Sequence, residues 1–375
     1  MENHKTNSRN EVIRVLQCTG TLNMGGAETM VMNVYREVNL EKIQFDFVVM
    51  GDEIGFYENE VTSKGGKIYH ITKRSQSFLK SLKDLFYLVK SNEYSVIHFH
   101  TQNSFLTATQ IIAVRMAGAK KIIVHSHNTS DWRNDVLKIL HFICRPLMNI
   151  LATKKLSCGE DAAKWLYGTT KNVQIIPLPV NCNKYKYTKE QYNKLRKENG
   201  FENAYIIAHT GRFWAQKNHD FLIDVFFQIS RRLPDAVLFL MGDGELKSQI
   251  EAKVRQLGIE SKVVFWGSIS DVHNKLIMSD MFLFPSKYEG FPTVVLEAQA
   301  AGLPCYISDT ITDEIAVTDF VSQIPLNLSA RDWCDYILRD INEKKYDRTM
   351  GNELIALRYD ISIVSDIFMQ TYTEN

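Results

Sequence analysis

The sequence predicts an α/β protein with two doubly wound domains, each a parallel sheet covered by helices. Short apolar runs of strand length alternate with longer amphipathic stretches along nearly the whole chain, and a polar, tyrosine-rich stretch at 177–194 interrupts this alternation once. The chain has 375 residues, 45% of them hydrophobic, which is longer than one core usually supports. We therefore expect two domains, each with its own core.

The first domain is predicted over residues 1–178, and we expect a C-terminal helix at 360–375 to complete it. Its predicted strands are VIRVLQ (12–17), FDFVVM (45–50), KIYHI (67–71), VIHFH (96–100), KIIVHS (121–126), KKLSCG (154–159) and VQIIP (173–177). Helices are predicted between several of them, at 27–38, 77–90 and 104–117.

The second domain is predicted over 179–359, after the linker. Its predicted strands are YIIAHTG (205–211), AVLFLMGDG (236–244), KVVFWG (262–267), MFLFPS (281–286) and PCYIS (304–308). Helices are expected at 218–231, at 245–257 and from 292. Sheets of this kind bind ligands at the carboxyl ends of their strands, so we expect the two domains to face each other across a functional cleft.

Charge and cysteine usage exclude several classes of protein. The net charge of +1 argues against nucleic acid as a partner, although residues 71–155 carry 13 Lys and Arg against 4 Asp and Glu. The N-terminus lacks the apolar core of a signal peptide, and no apolar run reaches the ~18 residues of a membrane span. We expect a cytoplasmic protein with reduced, scattered cysteines: Cys18, Cys144, Cys158, Cys182, Cys305 and Cys334.

Two glutamates flank a Gly-Phe-Pro turn in the stretch SKYEGFPTVVLEAQAAGLP (286–304). Pro292 suits the first position of a helix, so we predict a helix from Pro292 to Gly302. Glu289 then lies in the preceding loop, and Glu297 lies four residues past Thr293 on the same face. Both carboxylates are predicted to face one pocket.

The start of this helix is predicted to bind an anion. The first amides, those of Thr293 and Val294, have no intrahelical acceptor, and the helix dipole favours negative charge there. Ionised carboxylates accept hydrogen bonds from sugar hydroxyls, so the combination favours a nucleotide sugar as ligand. The alternative is a loop acid, Glu289, and a solvated helix acid, Glu297, with no ligand.

A second loop, in AHTGRFWAQKNHDFLIDVF (208–226), supports the ligand hypothesis. Arg212 and Lys217 follow a strand and precede a helix, which predicts that both lie at the ligand-binding edge. A diphosphate leaving group gains negative charge as its glycosidic bond breaks, and two cations would stabilise it without a metal. The alternative is that these cations are ordinary surface residues of a loop, which would explain either one of them alone equally well.

The first domain contributes a glycine turn and two pairs of histidines. Gly25 and Gly26 follow the first strand and permit close approach of a ligand to the backbone. His98 and His100, like His125 and His127, alternate along a strand and face one side. His100 and His127 are nearest the carboxyl edge and are the two cleft candidates. No carboxylate or cysteine accompanies them at ligand spacing, so no metal site is expected.

These motifs, in this order, resemble glycosyltransferase family 4, the retaining, nucleotide-sugar-dependent enzymes of the GT-B fold. The resemblance is carried by MGGAETMVMN, GRFWAQKNH, MGDGELKSQIE, VVFWGSISDV and FPSKYEGFPTVVLEAQAAGLP, and it spans nearly the whole chain. The combination of the first motif with GGKIYHI looks most like the bacterial subgroup that builds capsule and exopolysaccharide repeat units.

The resemblance implies a role for each candidate residue. Glu289 would meet the donor sugar hydroxyls and Glu297 the ribose hydroxyls, while Arg212 and Lys217 hold the diphosphate. His127 would contact the sugar near its sixth carbon, and His100 the acceptor. The remaining implied donor-binding residues are Gly25, Gly26, Gly290, Phe291, Thr293, Val294, Gly267 and Ile269. No cofactor or metal is expected. One departure concerns the linker, where Pro179 replaces a glycine and Asn181 an acid.

The implied partners are a nucleotide sugar, most simply a UDP-sugar, an undecaprenyl-type lipid-linked saccharide acceptor and other polysaccharide-assembly enzymes. Alternating apolar and basic residues at 77–90 and 135–155 further suggest peripheral docking on an anionic membrane surface. Alternatives are a sugar-nucleotide 2-epimerase of the same fold, or a non-catalytic sugar-nucleotide-binding partner protein. A pyridoxal-dependent phosphorylase would need a longer chain.

Overall fold

A computed structural model describes residues 12–23, 25–127 and 135–374 of the protein. The chain forms two compact units, one of Met1–Pro179 with Ile361–Asn375 and one of Val180–Asp360. The predicted boundary between the two domains lies one residue away, between 178 and 179. The chain passes from one unit to the other at two neighbouring places, because Val180 pairs with Asp360 in an isolated parallel bridge.

Each unit contains one sheet, and all strand pairs in both sheets are parallel. The strands of the first unit are β1 (Ile13–Gly20), β2 (Ile43–Met50), β3 (Ile68–Ile71), β4 (Val96–Thr101), β5 (Lys121–Ser126), β6 (Lys154–Ser157) and β7 (Gln174–Ile175). Those of the second unit are β8 (Tyr205–Thr210), β9 (Ala236–Met241), β10 (Val263–Gly267), β11 (Met281–Phe284), β12 (Cys305–Ser308) and β13 (Val321–Ile324).

The strand order is that of doubly wound sheets. The orders are β3-β2-β1-β4-β5-β6-β7 and β10-β9-β8-β11-β12-β13. The direction of winding reverses between β1 and β4 in the first unit and between β8 and β11 in the second. At such switch points the loops that follow the two central strands diverge and leave a crevice for a ligand. The predicted fold class is thereby confirmed in each unit.

Helices connect the strands, and several begin at the side-chain caps that helix starts favour. Ser77, Asn103, Thr188 and Ser329 each accept a hydrogen bond from a backbone N–H of the first turn. The helices are α1 (Gly26–Glu37), α2 (Glu58–Ser63), α3 (Phe78–Asn92), α4 (Ser104–Met116), α5 (Asp135–Leu151), α6 (Glu160–Tyr167), α7 (Cys182–Tyr185), α8 (Lys189–Asn199), α9 (His219–Ser230), α10 (Lys247–Gln256), α11 (Val272–Ile277), α12 (Thr293–Ala300), α13 (Ala330–Glu343), α14 (Arg348–Tyr359) and α15 (Ile361–Thr373).

The last helix, α15, closes one face of the first unit. Phe368 and Tyr372 are buried in the same apolar cluster as Tyr35 of α1 and Phe45 of β2. The Tyr372 hydroxyl accepts a hydrogen bond from Gln17 Nε2 at 3.1 Å. It lies 2.8 Å from His98 Nδ1. The last helix thus supplies both apolar area and polar partners to the first sheet.

In the second unit, α9 and α13 cover one face of the sheet, and α12 and α14 pack together among the apolar residues of the other. Trp333 of α13 is fully buried, and its indole N–H donates to the Pro325 carbonyl at 3.0 Å. This pairing satisfies the indole while its ring fills the core. The unit therefore has its own two-sided core.

Two boundary predictions need correction. The predicted helix from Pro292 to Gly302 is shorter at both ends, because Pro292 is the N-cap and α12 ends at Ala300. Gly302 has a φ of +70°, which does not continue a helix, and a Cβ there would collide with the Arg348 backbone. The linker predicted at 177–194 contains α7 and the start of α8. Among the helices in the described part of the chain, none is both long and apolar enough to cross a membrane.

Candidate functional site

The predicted donor residues of the second unit lie on the two loops that leave the switch point of its sheet. β8 and β11 are neighbours in the sheet, so the loops after Thr210 and Phe284 begin at the same edge. Lys287 N donates to the Gln216 carbonyl at 2.8 Å, and Asn218 Nδ2 donates to the Pro285 carbonyl at 3.0 Å. These bonds hold the two loops in one fixed arrangement.

An ion pair joins the two loops at their centre. Lys217 Nζ donates to Glu289 Oε1 at 2.7 Å, and the two side chains are only 18% and 9% exposed. Gln216 Nε2 donates to the other carboxylate oxygen at 3.3 Å and to the Tyr288 carbonyl at 2.9 Å. The cation predicted to hold a phosphate and the carboxylate predicted to meet sugar hydroxyls therefore contact each other.

Lys217 rests on a buried, uncharged floor. Its Nζ lies 4.8 Å from the centre of the Phe284 ring. A side chain at Gly211 would come within 3.1 Å of Lys217 Cδ and 3.2 Å of His209 Nε2, so glycine leaves room for both. Burial and the Lys217 charge lower the pKa of His219 to about 4, so its ring is neutral at pH 7. The lysine is thus the cationic group of a largely apolar pocket floor.

Arg212 lies on the same loop but outside the ion pair's immediate surroundings. It is exposed, and its guanidinium carbon lies 5.1 Å from the centre of the Trp214 ring, which is itself 45% exposed. The two predicted cations therefore differ in setting: Lys217 is half-buried against Glu289, and Arg212 lies in solvent on an aromatic ring. A planar guanidinium in that position is able to bind an incoming anion with two N–H groups.

Glu297 lies on the second turn of α12 and is largely removed from solvent. Burial raises the pKa of its carboxyl to about 7, and a hydrogen bond with the Tyr185 hydroxyl acts in the opposite direction. The N–H groups of Thr293 and Val294 are the first two of the helix and have no intrahelical acceptor. The first turn of α12 therefore combines free N–H donors with a carboxylate that Tyr185 orients.

The other predicted donor-binding residues have varied surroundings. Gly267 ends β10 with a φ of +68°, a conformation that favours glycine, and its carbonyl accepts from Gly242 N at 2.8 Å. Ile269 packs partly against the core, Gly290 is exposed, and the Phe291 ring stacks on Tyr359 with ring centres 6.1 Å apart. None of these contacts tests the implied roles.

In the first unit, four histidines form one cluster: His98 and His100 of β4, His125 of β5, and His127 directly after β5. β4 and β5 pair in register so that His100 lies beside His125, and all four rings face the side covered by α15. His100 Nδ1 lies 2.8 Å from His127 Nε2, and His100 Nε2 lies 2.9 Å from Gln17 Oε1. The predicted pair, His100 and His127, is therefore in direct hydrogen-bond contact.

Burial keeps this cluster uncharged. The pKa of His127 is lowered to about 3, and burial lowers the pKa of His98, His100 and His125 well below the usual value. Neutral imidazoles donate and accept hydrogen bonds, as contacts with sugar hydroxyls require. One nitrogen from each of His98, His100 and His125 lies within 4.8 Å of the others, so these three could in geometry hold a metal ion. The expectation of a metal-free site stays a prediction.

The glycine turn after β1 leaves the prediction of close ligand approach a prediction. Gly25 has an ordinary φ of −116°, and a Cβ there would meet the Glu28 carboxylate at 2.3 Å. A Cβ at Gly26 would meet nothing within 4 Å. At Gly25 the nearest group is the end of a flexible side chain, which could move aside for a Cβ, and Gly26 begins α1 beside open space.

Sequence reasoning missed two residues that hold the predicted ones. Gln216 ties Glu289 to its loop, and Tyr185 hydrogen-bonds Glu297 from α7. Gln216 lies within the GRFWAQKNH motif, and Tyr185 lies in the tyrosine-rich stretch interpreted as linker. Neither residue type at those spacings indicates a site, because both contacts join segments distant in sequence.

Comparison with known proteins identifies the family of the chain. The model described as Glycosyltransferase Family 4 matches residues 24–184, and the model described as Glycosyl transferases group 1 matches residues 191–353. A Bacillus subtilis protein that carries the name glycosyltransferase EpsF is 35% identical over 92% of this chain and 93% of its own. An Escherichia coli UDP-Gal:alpha-D-GlcNAc-diphosphoundecaprenol alpha-1,3-galactosyltransferase is 29% identical over 62% of each chain.

The fold is also shared with solved structures. Anabaena Alr3699/HepE in complex with UDP superposes with a TM-score of 0.77 at 18% identity, covering 97% of this chain and 100% of that chain. At that identity the likeness concerns the fold. The two family models together cover most of the chain, and the EpsF relative matches it almost end to end. The chain therefore belongs to glycosyltransferase family 4 and is a glycosyltransferase of the GT-B fold.

Proposed function

We propose that this enzyme transfers a hexose from a UDP-sugar to a lipid-linked saccharide during assembly of a capsular or extracellular polysaccharide. The observation that carries the proposal is the ion pair of Lys217 with Glu289 on the two loops at the switch point of the second sheet, just before the first turn of α12, the helix that bears Glu297. Carboxylates that accept from hydroxyls, beside donors for an anion, match a ligand that is part sugar and part diphosphate.

UDP is the nucleotide that the relatives favour. The superposed HepE structures hold UDP or UDP-glucose, and the E. coli relative is named for UDP-Gal. In the proposed complex the diphosphate binds the first N–H groups of α12, Lys217 and Arg212. Glu297 then binds the ribose hydroxyls, and Glu289 the hydroxyls of the sugar. On donor binding, the ion pair between Lys217 and Glu289 would break or be shared with the donor. Lys217 would then contact the diphosphate, and Glu289 the sugar hydroxyls.

We propose transfer with retention and without a metal. The bond between the sugar C1 and the diphosphate oxygen breaks as C1 bonds the acceptor hydroxyl oxygen on the same face. The departing phosphate oxygen takes the proton of that hydroxyl, which balances the step. Negative charge grows on the diphosphate as the bond breaks, so preorganised cations and N–H groups stabilise the transition state more than the ground state. The neutral His127 would hydrogen-bond the sugar near its sixth carbon.

The acceptor and pathway are proposed from the relatives. The E. coli relative's name specifies a diphosphoundecaprenol-linked sugar as its acceptor, and a Staphylococcus aureus relative, 23% identical over 96% of this chain, is named for capsular polysaccharide biosynthesis. A lipid-linked acceptor lies in a membrane, so the enzyme would work at its cytoplasmic surface. Other assembly enzymes would supply and consume the lipid-linked saccharide.

Helix α5 offers a surface suited to that location. Its residues at i, i+3 and i+4 spacing form an exposed apolar stripe, in which Ile143 is 66% and Ile150 80% exposed. The stripe consists of Val136, Ile139, Ile143, Leu147 and Ile150. The opposite face packs through the buried His141 and Met148. An exposed apolar stripe near Lys138, Lys154 and Lys155 favours insertion into an anionic membrane interface.

Helix α3, the second basic amphipathic segment, fits this role less well. Its Leu85 and Val89 are buried in the core of the first unit, as the alternative explanation of its apolar residues requires. Leu79 and Tyr87 are exposed on its surface. We therefore propose α5 as the principal membrane-facing element.

The experiment that tests the enzymatic proposal is a donor screen. Purified protein is incubated with UDP-, GDP- and ADP-sugars, with and without a synthetic prenyl-diphosphate saccharide, and product anomers are assigned by NMR. We expect transfer or slow hydrolysis with one UDP-sugar, retention at C1 and full activity in EDTA. An inverted product, an activity that needs added manganese, or a donor epimerised at C2 in the absence of acceptor would contradict the proposal.

A further inference from the structure

The carboxyl edge of the first sheet contains a small polar recess in which His100, the implied acceptor residue, is the one lining residue with a role assigned above. It has a volume of about 40 Å³ and lies where β1, β2 and β4 end. A volume of about 10–15 Å³ holds one water, so the recess accommodates roughly three oxygen-sized groups. Its polar lining consists of Thr19, Gly20, Arg74, His100, Thr101 and Gln110.

Arg74 is the only formally charged side chain among those that line the recess, and the described residues provide it with no carboxylate or hydrogen-bond acceptor. Burial lowers the pKa of Arg74, yet a guanidinium stays charged at neutral pH. The titratable group that interacts electrostatically with Arg74 is the Cys18 thiol. Burial raises the pKa of this thiol, so it is neutral. The neighbouring Lys73, in contrast, is paired with Glu53 at 2.7 Å. A largely buried cation without a counter-ion favours binding of an anion.

A second uncommitted donor faces the recess. Gln110 of α4 is 8% exposed, and no hydrogen bond of its side-chain amide is present within the described residues. Gly20 has a φ of +88°, and a Cβ at that position would meet nothing within 4 Å, so the absent side chain leaves open space. The Gln110 amide atoms are not among the sealed unpartnered atoms of the described residues, so beside Arg74 the amide is available to donate to a ligand with acceptor oxygens.

The recess opens into a larger groove. This groove has a volume of about 410 Å³ and shares Thr19, Gly20, Met50 and Arg74 with the recess. Glu28 lies in the groove and accepts a hydrogen bond from Thr21 Oγ1 at 2.9 Å. A cation at the neck, with a carboxylate in the wider part, suits a ligand whose phosphoryl group enters first and whose hydroxyl-bearing part remains outside.

We propose that the recess binds a phosphoryl group of the acceptor, a lipid-linked saccharide diphosphate, with Arg74 and Gln110 as its recognition residues. This inference rests on the proposed function for the identity of the acceptor. The donor diphosphate already has its proposed partners in the second unit, whereas the acceptor diphosphate has none. Recognition of the diphosphate would let the enzyme select lipid-linked saccharides over free ones of the same structure.

The test is calorimetric titration of the full chain, saturated with UDP, at low ionic strength. The probes are inorganic pyrophosphate, farnesyl diphosphate and farnesol. We expect both diphosphates to bind and farnesol not to compete with pyrophosphate. Arg74→Gln should weaken both diphosphates at least tenfold and Gln110→Leu about threefold. The matched control is Lys83→Gln, which removes an exposed cation on α3 and should change either affinity less than twofold.

Three results would overturn the inference. In the first, Arg74→Gln binds both diphosphates as tightly as the unmodified enzyme does. In the second, pyrophosphate no longer binds when UDP is present. In the third, the enzyme binds pyrophosphate but does not bind farnesyl diphosphate. The third result would indicate a site for free anions. UDP affinity and thermal stability are measured for every variant, and Gln110→Leu provides an independent test if Arg74→Gln is unstable. Failure of the enzyme to bind UDP would contradict the proposed function, whereas failure of the diphosphates alone would contradict only this inference.

Discussion

Lys217 and Glu289 form an ion pair at the proposed donor site, and this pairing affects what each substitution should do. The pair is largely removed from solvent, so removing one partner leaves the other charge poorly compensated. When Lys217 is the residue replaced, Gln216 still donates one hydrogen bond to Glu289. The effects of single substitutions will therefore include rearrangement of the remaining partner.

Replacing a diphosphate cation should mainly reduce kcat. We expect Lys217→Ala and Arg212→Ala each to lower kcat by raising the activation free energy by about 2–4 kcal/mol. The contribution of each cation grows as negative charge develops on the leaving group. The measurement is steady-state kinetics on the UDP-sugar found in the donor screen. Lys197→Ala, which removes an exposed lysine of α8, is the control and should leave kcat unchanged. An increase in KM alone for both variants would show that the cations act only in binding.

Glu297 should behave differently, since its proposed partners are the ribose hydroxyls, which do not react. Glu297→Gln is expected to raise the KM for the donor several-fold with a smaller change in kcat. Tyr185→Phe, which removes the hydroxyl that hydrogen-bonds Glu297, should change KM in the same direction by less. A loss of kcat in Glu297→Gln as large as that in Lys217→Ala would contradict the assignment to ribose.

The raised pKa of Glu297 also predicts a pH dependence of stability. Its folded pKa of about 7 lies above the ordinary value of 4.5, so between those pH values the folded state binds more protons than the unfolded state. Stability from this group is therefore highest below pH 4.5 and falls as pH rises towards 7. From pH 5 to pH 8, the free energy of unfolding of Glu297→Gln should therefore rise relative to that of the unmodified enzyme, by about 2 kcal/mol or less.

Thermal denaturation at both pH values, without nucleotide, measures this difference. The control is Glu245→Gln, which changes the same carboxyl to an amide on the segment before α10. A stability difference between Glu297→Gln and the unmodified enzyme that is the same at pH 5 and pH 8 would show that Glu297 has no raised pKa.

Helix α5 is the element whose exposed stripe has no explanation within its own unit. We expect the enzyme to co-sediment with vesicles containing anionic lipid at low salt and less at high salt. Ile139→Glu combined with Ile143→Glu should remove most of this binding, because each change puts a carboxylate where an apolar side chain enters the interface. Leu357→Glu, on an exposed apolar residue of α14, is the matched control and should bind as the unmodified enzyme does. No binding of the unmodified enzyme at low salt would exclude this docking surface.

Helix α15 links the far end of the chain to the first unit, so the stability of that unit depends on it. Phe368 is 2% exposed among core residues of α1 and β2, and Phe368→Ala should destabilise the first unit by about 3–5 kcal/mol. Urea denaturation followed by tryptophan fluorescence measures the loss. Ile363→Ala, at an exposed position of the same helix, should cost less than 1 kcal/mol. Equal effects of the two substitutions would show that α15 is not part of the core.

Over the whole molecule, the sequence by itself determined the class of fold and the residues of the proposed donor site. Strand-length apolar runs alternate with helical ones because each parallel strand is buried on both faces, and that pattern is local. Local patterns also predicted Glu289, Lys217 and Glu297 as site residues. These patterns are a glycine turn, a proline at a helix start and a spacing of eight residues, and each involves only residues close together in the sequence. The motif order then identified the family.

Only the tertiary structure decided which of those residues touch. The Lys217–Glu289 pair, the hydrogen bond from Tyr185 to Glu297 and the four-histidine cluster each join segments far apart in sequence, and no local pattern specifies such contacts. The same holds for Arg74, whose lack of a partner among the described residues is visible only once its surroundings are formed. Local propensity determines elements, whereas burial and charge compensation depend on which elements pack together.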